Sequence, residues 1–112
     1  MDLVVECYQL TRKFPQTETY GLSSQIQRAA VSIPANIAEG KGRYHLKEYI
    51  QHLYIANGSL MELETHLMIA GRLAYLNHQE LEAMLKLTSE VGSKLNRLIK
   101  TLKQKQHPTP DT

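Results

Sequence analysis

From Leu46 to Ala70 the residues Leu46, Tyr49, Leu53, Ala56, Leu60, Leu63, Leu67 and Ala70 follow one another at alternating steps of three and four. A strand, with its period of two, scatters such a pattern over both faces; an α-helix gathers it into one seam. A seam sustained over more than three heptads needs packing partners of comparable length. The spacing therefore predicts a long helix over 45–73. A second stripe, Ile50, Tyr54, Asn57, Met61, Glu64 and Met68, is offset from the first. Together they make the helix apolar over well beyond the roughly 100° that a surface helix buries. A chain of 112 residues supports one core. The surplus stripe makes Ile50, Tyr54, Met61 and Met68 candidates for contact with a second subunit.

The remaining segments are also helical. Leu81, Met84, Val91, Leu95, Leu98 and Leu102 continue a heptad over 78–103, with Thr88 as its weak member and Asn77 with Glu80 as a capping box. Leu22, Ile26, Ala29, Ile33 and Ile37 stripe a helix over 19–39, where Pro34 predicts a kink. Leu3, Cys7, Leu10 and Phe14 share a face of a helix over 2–14 that Pro15 stops. Its apolar pattern is already running at Leu3, so either the helix starts abruptly or part of it lies upstream of Met1. No segment reads as a strand. Short connections predict an all-α, antiparallel up-down four-helix bundle over 1–106. The end of the chain, 107–112, reads as a disordered tail.

Composition closes off several classes. With 42% apolar and 21% charged residues the chain has the means to form a core, unlike a disordered one. The single cysteine rules out an internal disulfide and fits a reducing compartment. No apolar run approaches the ~18 residues of a membrane span, and the acids Asp2 and Glu6 do not fit a signal peptide. A cytoplasmic protein with no membrane partner is expected. The net charge of +2 does not by itself select a nucleic-acid partner.

Catalytic constellations are sparse. Cys7 lies on an apolar stripe and reads as an inert buried thiol rather than a nucleophile. Glu48/His52 and Glu62/His66 are spaced i,i+4, but the Glu-x-x-His pairs of helical di-metal sites are missing, so exposed helix pairs account for them. No metal and no cofactor are expected. Arg72 and His78 have a spacing resembling the Arg and His element of HEPN ribonucleases, themselves helical bundles, yet both fall at an interhelix turn where such residues are common. Arg28, Ser32, Asn36 and Glu39 line an edge of the second helix and are expected to meet Asn57, Ser59, Glu62 or Glu64 of the third in a hydrogen-bonded network fixing register or subunit docking; a ligand site inside the bundle is the alternative, which no nucleophile or metal set accompanies.

The basic residues fall in two groups. Lys41, Arg43 and Lys47, with His45, surround the start of the third helix, where free N–H groups favour phosphate. Lys94, Arg97, Lys100 and Lys103 lie on the outer side of the fourth, in a stretch without an acid between Glu90 and Asp111. Lys41, Arg43, Lys47, Arg97, Lys100 and Lys103 are the nucleic-acid-binding candidates; a solvated face is the alternative.

Three stretches stand out as motifs: Gln25-Ile-Gln-Arg-Ala-Ala-Val-Ser-Ile-Pro-Ala-Asn-Ile-Ala-Glu-Gly40, Tyr54-Ile-Ala-Asn-Gly-Ser-Leu-Met-Glu-Leu-Glu-Thr-His-Leu67, and Arg72-Leu-Ala-Tyr-Leu76. With Phe14-Pro15 and Glu18 they resemble the bacterial four helix bundle protein family, also called the 23S rRNA intervening-sequence or S23 ribosomal protein family, over nearly the whole chain. The resemblance implies a ring-shaped homopentamer of four-helix bundles without established activity. It also implies kinship with the accessory variability determinant of diversity-generating retroelements, which binds a reverse transcriptase. The chain departs from the family in two places: it lacks about half a helix ahead of Met1, and His45 stands where a Ser often caps the third helix, three residues before Glu48. A His is the weaker cap. The expected function is a non-enzymatic oligomeric scaffold or accessory protein contacting RNA, DNA or a nucleic-acid enzyme. A purely protein-binding adaptor and a HEPN-like ribonuclease are the alternatives.

Overall fold

The structure, a computed structural model, describes residues 2–106. Its α-helices are α1 (Asp2–Thr11), α2 (Leu22–Lys41), α3 (Leu46–Arg72) and α4 (His78–Gln106), with one turn of 3-10 helix at Gln16–Glu18. Among the described residues there is no strand. The tail expected at 107–112 lies outside the described residues.

α3 packs most extensively on α2 and next on α4, while α1 packs on α2 and lightly on α4. The diagonal pairs make no comparable contact among the described residues. Neighbour contact in chain order, closed by α1 on α4, is the layout of an up-down bundle. The predicted seam is its core. Leu53, Ala56, Leu63, Leu67 and Ala70 are wholly buried, together with Ile26 and Ala30 of α2.

The helix ends differ from the expected bounds for local reasons. α1 stops at Thr11, whose hydroxyl donates to the Cys7 carbonyl at 2.9 Å. Phe14 lies beyond the helix yet stays buried, with its ring tilted against Tyr75 at 5.3 Å. α2 starts at Leu22 rather than Thr19, and its N-cap Gly21 has no side chain to offer. Glu18 supplies the cap from four residues upstream: its Oε1 accepts the Leu22 N–H at 3.0 Å. Its Oε2 accepts the Tyr75 hydroxyl at 2.9 Å, which ties the start of α2 to the α3–α4 turn. α2 then runs unbroken through Pro34 to Lys41.

The α3–α4 turn is a Schellman motif closed by Tyr75 N–H to Ala70 O at 2.9 Å and Ala74 N–H to Gly71 O at 3.1 Å. Ala74 takes the left-handed conformation (φ 62°) usually given to glycine. The capping box forms as expected: Glu80 N–H donates to Asn77 Oδ1 at 2.7 Å and Asn77 N–H to Glu80 Oε1 at 3.0 Å. Lys13 binds the same Glu80 carboxylate from the α1 side.

Across the α3–α4 pair, a Cβ at Gly71 would touch Leu81, Thr88 Oγ1 donates to Glu64 Oε2 at 2.8 Å, and Lys103 lies over the Tyr54 ring. This antiparallel register explains the weak heptad member, since buried Thr88 finds its polar partner in Glu64. It also brings the last turns of α4, which runs three residues past its expected end, to the start of α3. Ile50 is consequently buried in the protomer's own core and is not a free subunit contact.

Candidate nucleic-acid interface

The antiparallel register joins the two basic groups. Lys103 sits with its Nζ 5.3 Å from the centre of the Tyr54 ring. Tyr54 lies only eight residues into α3, about 12 Å along its axis at 1.5 Å per residue. The last third of α4 and the α2–α3 turn therefore share one end of a bundle 58 Å long. All six candidate cations, Lys41, Arg43, Lys47, Arg97, Lys100 and Lys103, are exposed there, as is Lys105, while Lys94 is exposed opposite the middle of α3. Over 39–48 and 97–106 there are seven Lys and Arg against Glu39 and Glu48, while the other described residues carry eight acids against six cations. The modest net charge thus hides a strong polarity along the molecule.

The start of α1 meets α2 and α4 at a hollow lined by Leu3, Val4, Ile33 and Val91. Toward the end of α4, Asn96, Ile99, Lys100, Lys103 and Gln104 line a concavity. At the start of α3, His45 is the N-cap and makes no side-chain capping bond, as its residue type led one to expect. The first amides of α3 are left for solvent or an anion. One cation is partly engaged: Arg43 Nη2 donates to Glu39 Oε1 at 2.7 Å, an exposed i,i+4 pair of small energetic weight.

The expected polar network forms only in its centre. Ser32 and Ser59 hydroxyls are 2.8 Å apart across the α2–α3 contact, and Asn36 Nδ2 donates to the Ser32 carbonyl and hydroxyl at 2.8 and 3.0 Å. The fourth member is His52, whose Nδ1 is 3.2 Å from Asn36 Oδ1, rather than any of the expected acids. Its signal was the heptad spacing of His52, Ser59 and His66, which puts all three on the edge facing α2. The other expected members lie elsewhere. Arg28 is exposed, Glu39 pairs with Arg43, Glu62 is 3.5 Å from His66 Nε2, and Glu64 faces α4 through Thr88. Asn57 is half-buried, and among the described residues its side chain joins no such bond.

The catalytic and metal constellations gain little from the fold. No group of three or more metal-binding side chains occurs among the described residues. Glu48 does not hold His52, which turns to Asn36 instead. Arg72 and His78 line one cleft with Met68, Gly71, Leu76 and Leu81, but both are exposed and His78 lies 3.6 Å from Glu82. Cys7 is wholly buried, and desolvation reinforced by the Glu6 charge pushes its thiol up to about 12. No described helix is long and apolar enough to cross a membrane.

Sequence comparison assigns the family. The model of the 23S rRNA-intervening sequence protein family matches residues 1–97. The chain belongs to this family. A crystal structure of a protein of unknown function from the S23 ribosomal protein family, from Bacteroides thetaiotaomicron, has the same fold. It is 27% identical, aligns over 87% of this chain and 88% of its own, and superposes with a TM-score of 0.76. No curated protein matches the sequence. The family and its solved member carry no stated activity, which leaves the protein's own surface. Two features stand out there: the basic end and the outer face of α3, where Tyr54, Ile55, Met61, Met68, Ile69 and Leu73 are between 42% and 62% exposed.

Proposed function

We propose that this intervening-sequence protein is a non-catalytic, self-associating scaffold that contacts nucleic acid, alone or with an enzyme bound to it, through the basic end of its bundle. The observation that carries the reading is the meeting of two cationic segments some fifty residues apart in sequence at one end of the bundle. Flexible Lys and Arg side chains without a base-reading arrangement hold phosphates and do not specify sequence. Repetition around a ring, the pentamer that the family resemblance implies, would strengthen a weak patch through avidity. The family's name supports structured RNA as the first ligand to try.

The test is a titration of wild-type protein with a structured RNA at increasing salt. Affinity should fall with a log–log slope of about one unit for each neutralised phosphate. Lys41→Glu with Arg43→Glu should weaken binding and flatten that slope without changing oligomer size. Lys86→Glu, on a stretch of α4 between the acids Glu82 and Glu90, should change little. Wild-type protein that binds neither RNA nor DNA at low salt overturns the reading. The exposed apolar face of α3 then favours the second one, a protein-binding adaptor, whose partner affinity would vary little with salt.

A further inference from the structure

We infer that the ligand of the basic end is single-stranded nucleic acid, with Tyr44 as a platform on which an unpaired base stacks; the inference rests on the nucleic-acid reading above and narrows it. Tyr44 lies in the four-residue turn between α2 and α3 and is 97% exposed. Its only aromatic neighbour is the adjacent His45, edge-on at 5.5 Å, so one face of the phenol ring has no protein packed against it among the described residues. Tyr20 is equally exposed, at 96%, but no Lys or Arg lies within three residues of it. Tyr75 is held by Glu18 and Phe14, and Tyr49 is packed against the core.

The surroundings of the ring are cationic. Lys41, Arg43 and Lys47 lie within three residues of it on either side, all exposed. In the second basic segment Lys103 already covers the Tyr54 ring, so Tyr44 is the ring left free among these cations. An aromatic ring beside cations is the arrangement by which proteins hold single strands: the cations follow the phosphates and the ring takes a base face. A duplex buries its base faces in the stack and would use only the cations. An acidic peptide would likewise leave Tyr44 unused.

The experiment compares a fluorescently labelled, unstructured oligonucleotide of about twelve nucleotides, enough to span one such patch, with a duplex of equal length at low salt. Wild-type protein should prefer the single strand. Tyr44→Ala should weaken single-strand binding about tenfold, the usual order for losing one base–aromatic stack, and leave duplex affinity unchanged. Tyr44→Phe keeps the ring and should bind like wild type. Because Tyr44 is exposed, thermal unfolding of both variants should match wild type, which separates the effect from misfolding. Binding that persists but ignores Tyr44→Ala, or that favours the duplex, overturns this inference and leaves the nucleic-acid reading standing. Absence of binding to either oligonucleotide overturns both.

Discussion

Cys7 shows how a single residue's surroundings decide its chemistry. It is wholly buried on the α1 seam with Leu3 and Leu10, and burial with the neighbouring Glu6 charge raises its pKa to about 12. At pH 8 its thiolate population is then roughly a thousandfold below that of a free cysteine, before occlusion is counted. A thiol reagent should label native protein only as fast as α1 opens, and Cys7→Ser should cost about 1–3 kcal/mol by burying a hydroxyl. Fast stoichiometric labelling under native conditions would show that α1 is open at rest. This position was legible in the sequence because helical spacing alone puts Cys7 on the apolar face. Gly40 was not legible in that way. A Cβ there would come within 2.8 Å of the His52 Cβ and 2.9 Å of the Tyr49 ring, so the glycine lets α2 lie close to α3, and that pairing is invisible until the register is known.

At the scale of elements, periodicity located the four α-helices but not the 3-10 turn at Gln16–Glu18, while the ends depended on side chains that reach across turns. Glu18 is the clearest case. Its carboxylate accepts the Leu22 N–H and the Tyr75 hydroxyl, the first outweighing the second, and both hold its pKa below the ordinary glutamate range. A depressed pKa in the folded state adds stability above the unfolded value, and that stability is lost as pH falls through the folded one. Wild-type protein should therefore have a higher urea midpoint than Glu18→Gln at pH 7. The gap should shrink once pH drops below the usual glutamate range. A gap that stays constant with pH would mean that Glu18 acts through shape and not charge. Sequence reading marked Glu18 as part of a family motif but left its role open, because Tyr75 is 57 residues away. The Asn77–Glu80 box was read correctly because both its partners lie within one turn. The polar network split along the same line. The Ser32–Ser59 contact survived, while the acids expected beside it turned outward or toward α4, where solvent or Thr88 satisfies them more cheaply than a buried seam could.

The whole molecule carries two surfaces that the protomer does not use, and the way they are divided argues for assembly. The basic end presents exposed Lys and Arg side chains. The outer face of α3 is different: Met61 is 62% exposed, and Tyr54 and Met68 lie one heptad to either side at 46% and 45%. Gly58 lies on the same helix, and among the described residues a Cβ there would have open space within 4 Å, so no contact within the protomer calls for a glycine. A helix-interior glycine costs up to about 1 kcal/mol relative to alanine. A flat apolar strip with a notch in it is suited to close approach by another helix, and a second copy presents one of the same length. Wild-type protein should therefore give a light-scattering mass several times 12.8 kDa. Met61→Lys should shift that mass toward the monomer, because a charge buried without a partner costs several kcal/mol at every copy of the interface. Its helix content should stay unchanged, since Met61 contributes little to the protomer's own core. Wild-type protein that remains a 12.8 kDa monomer at high concentration would remove self-assembly from the model, and the strip would then be the docking face of a foreign partner.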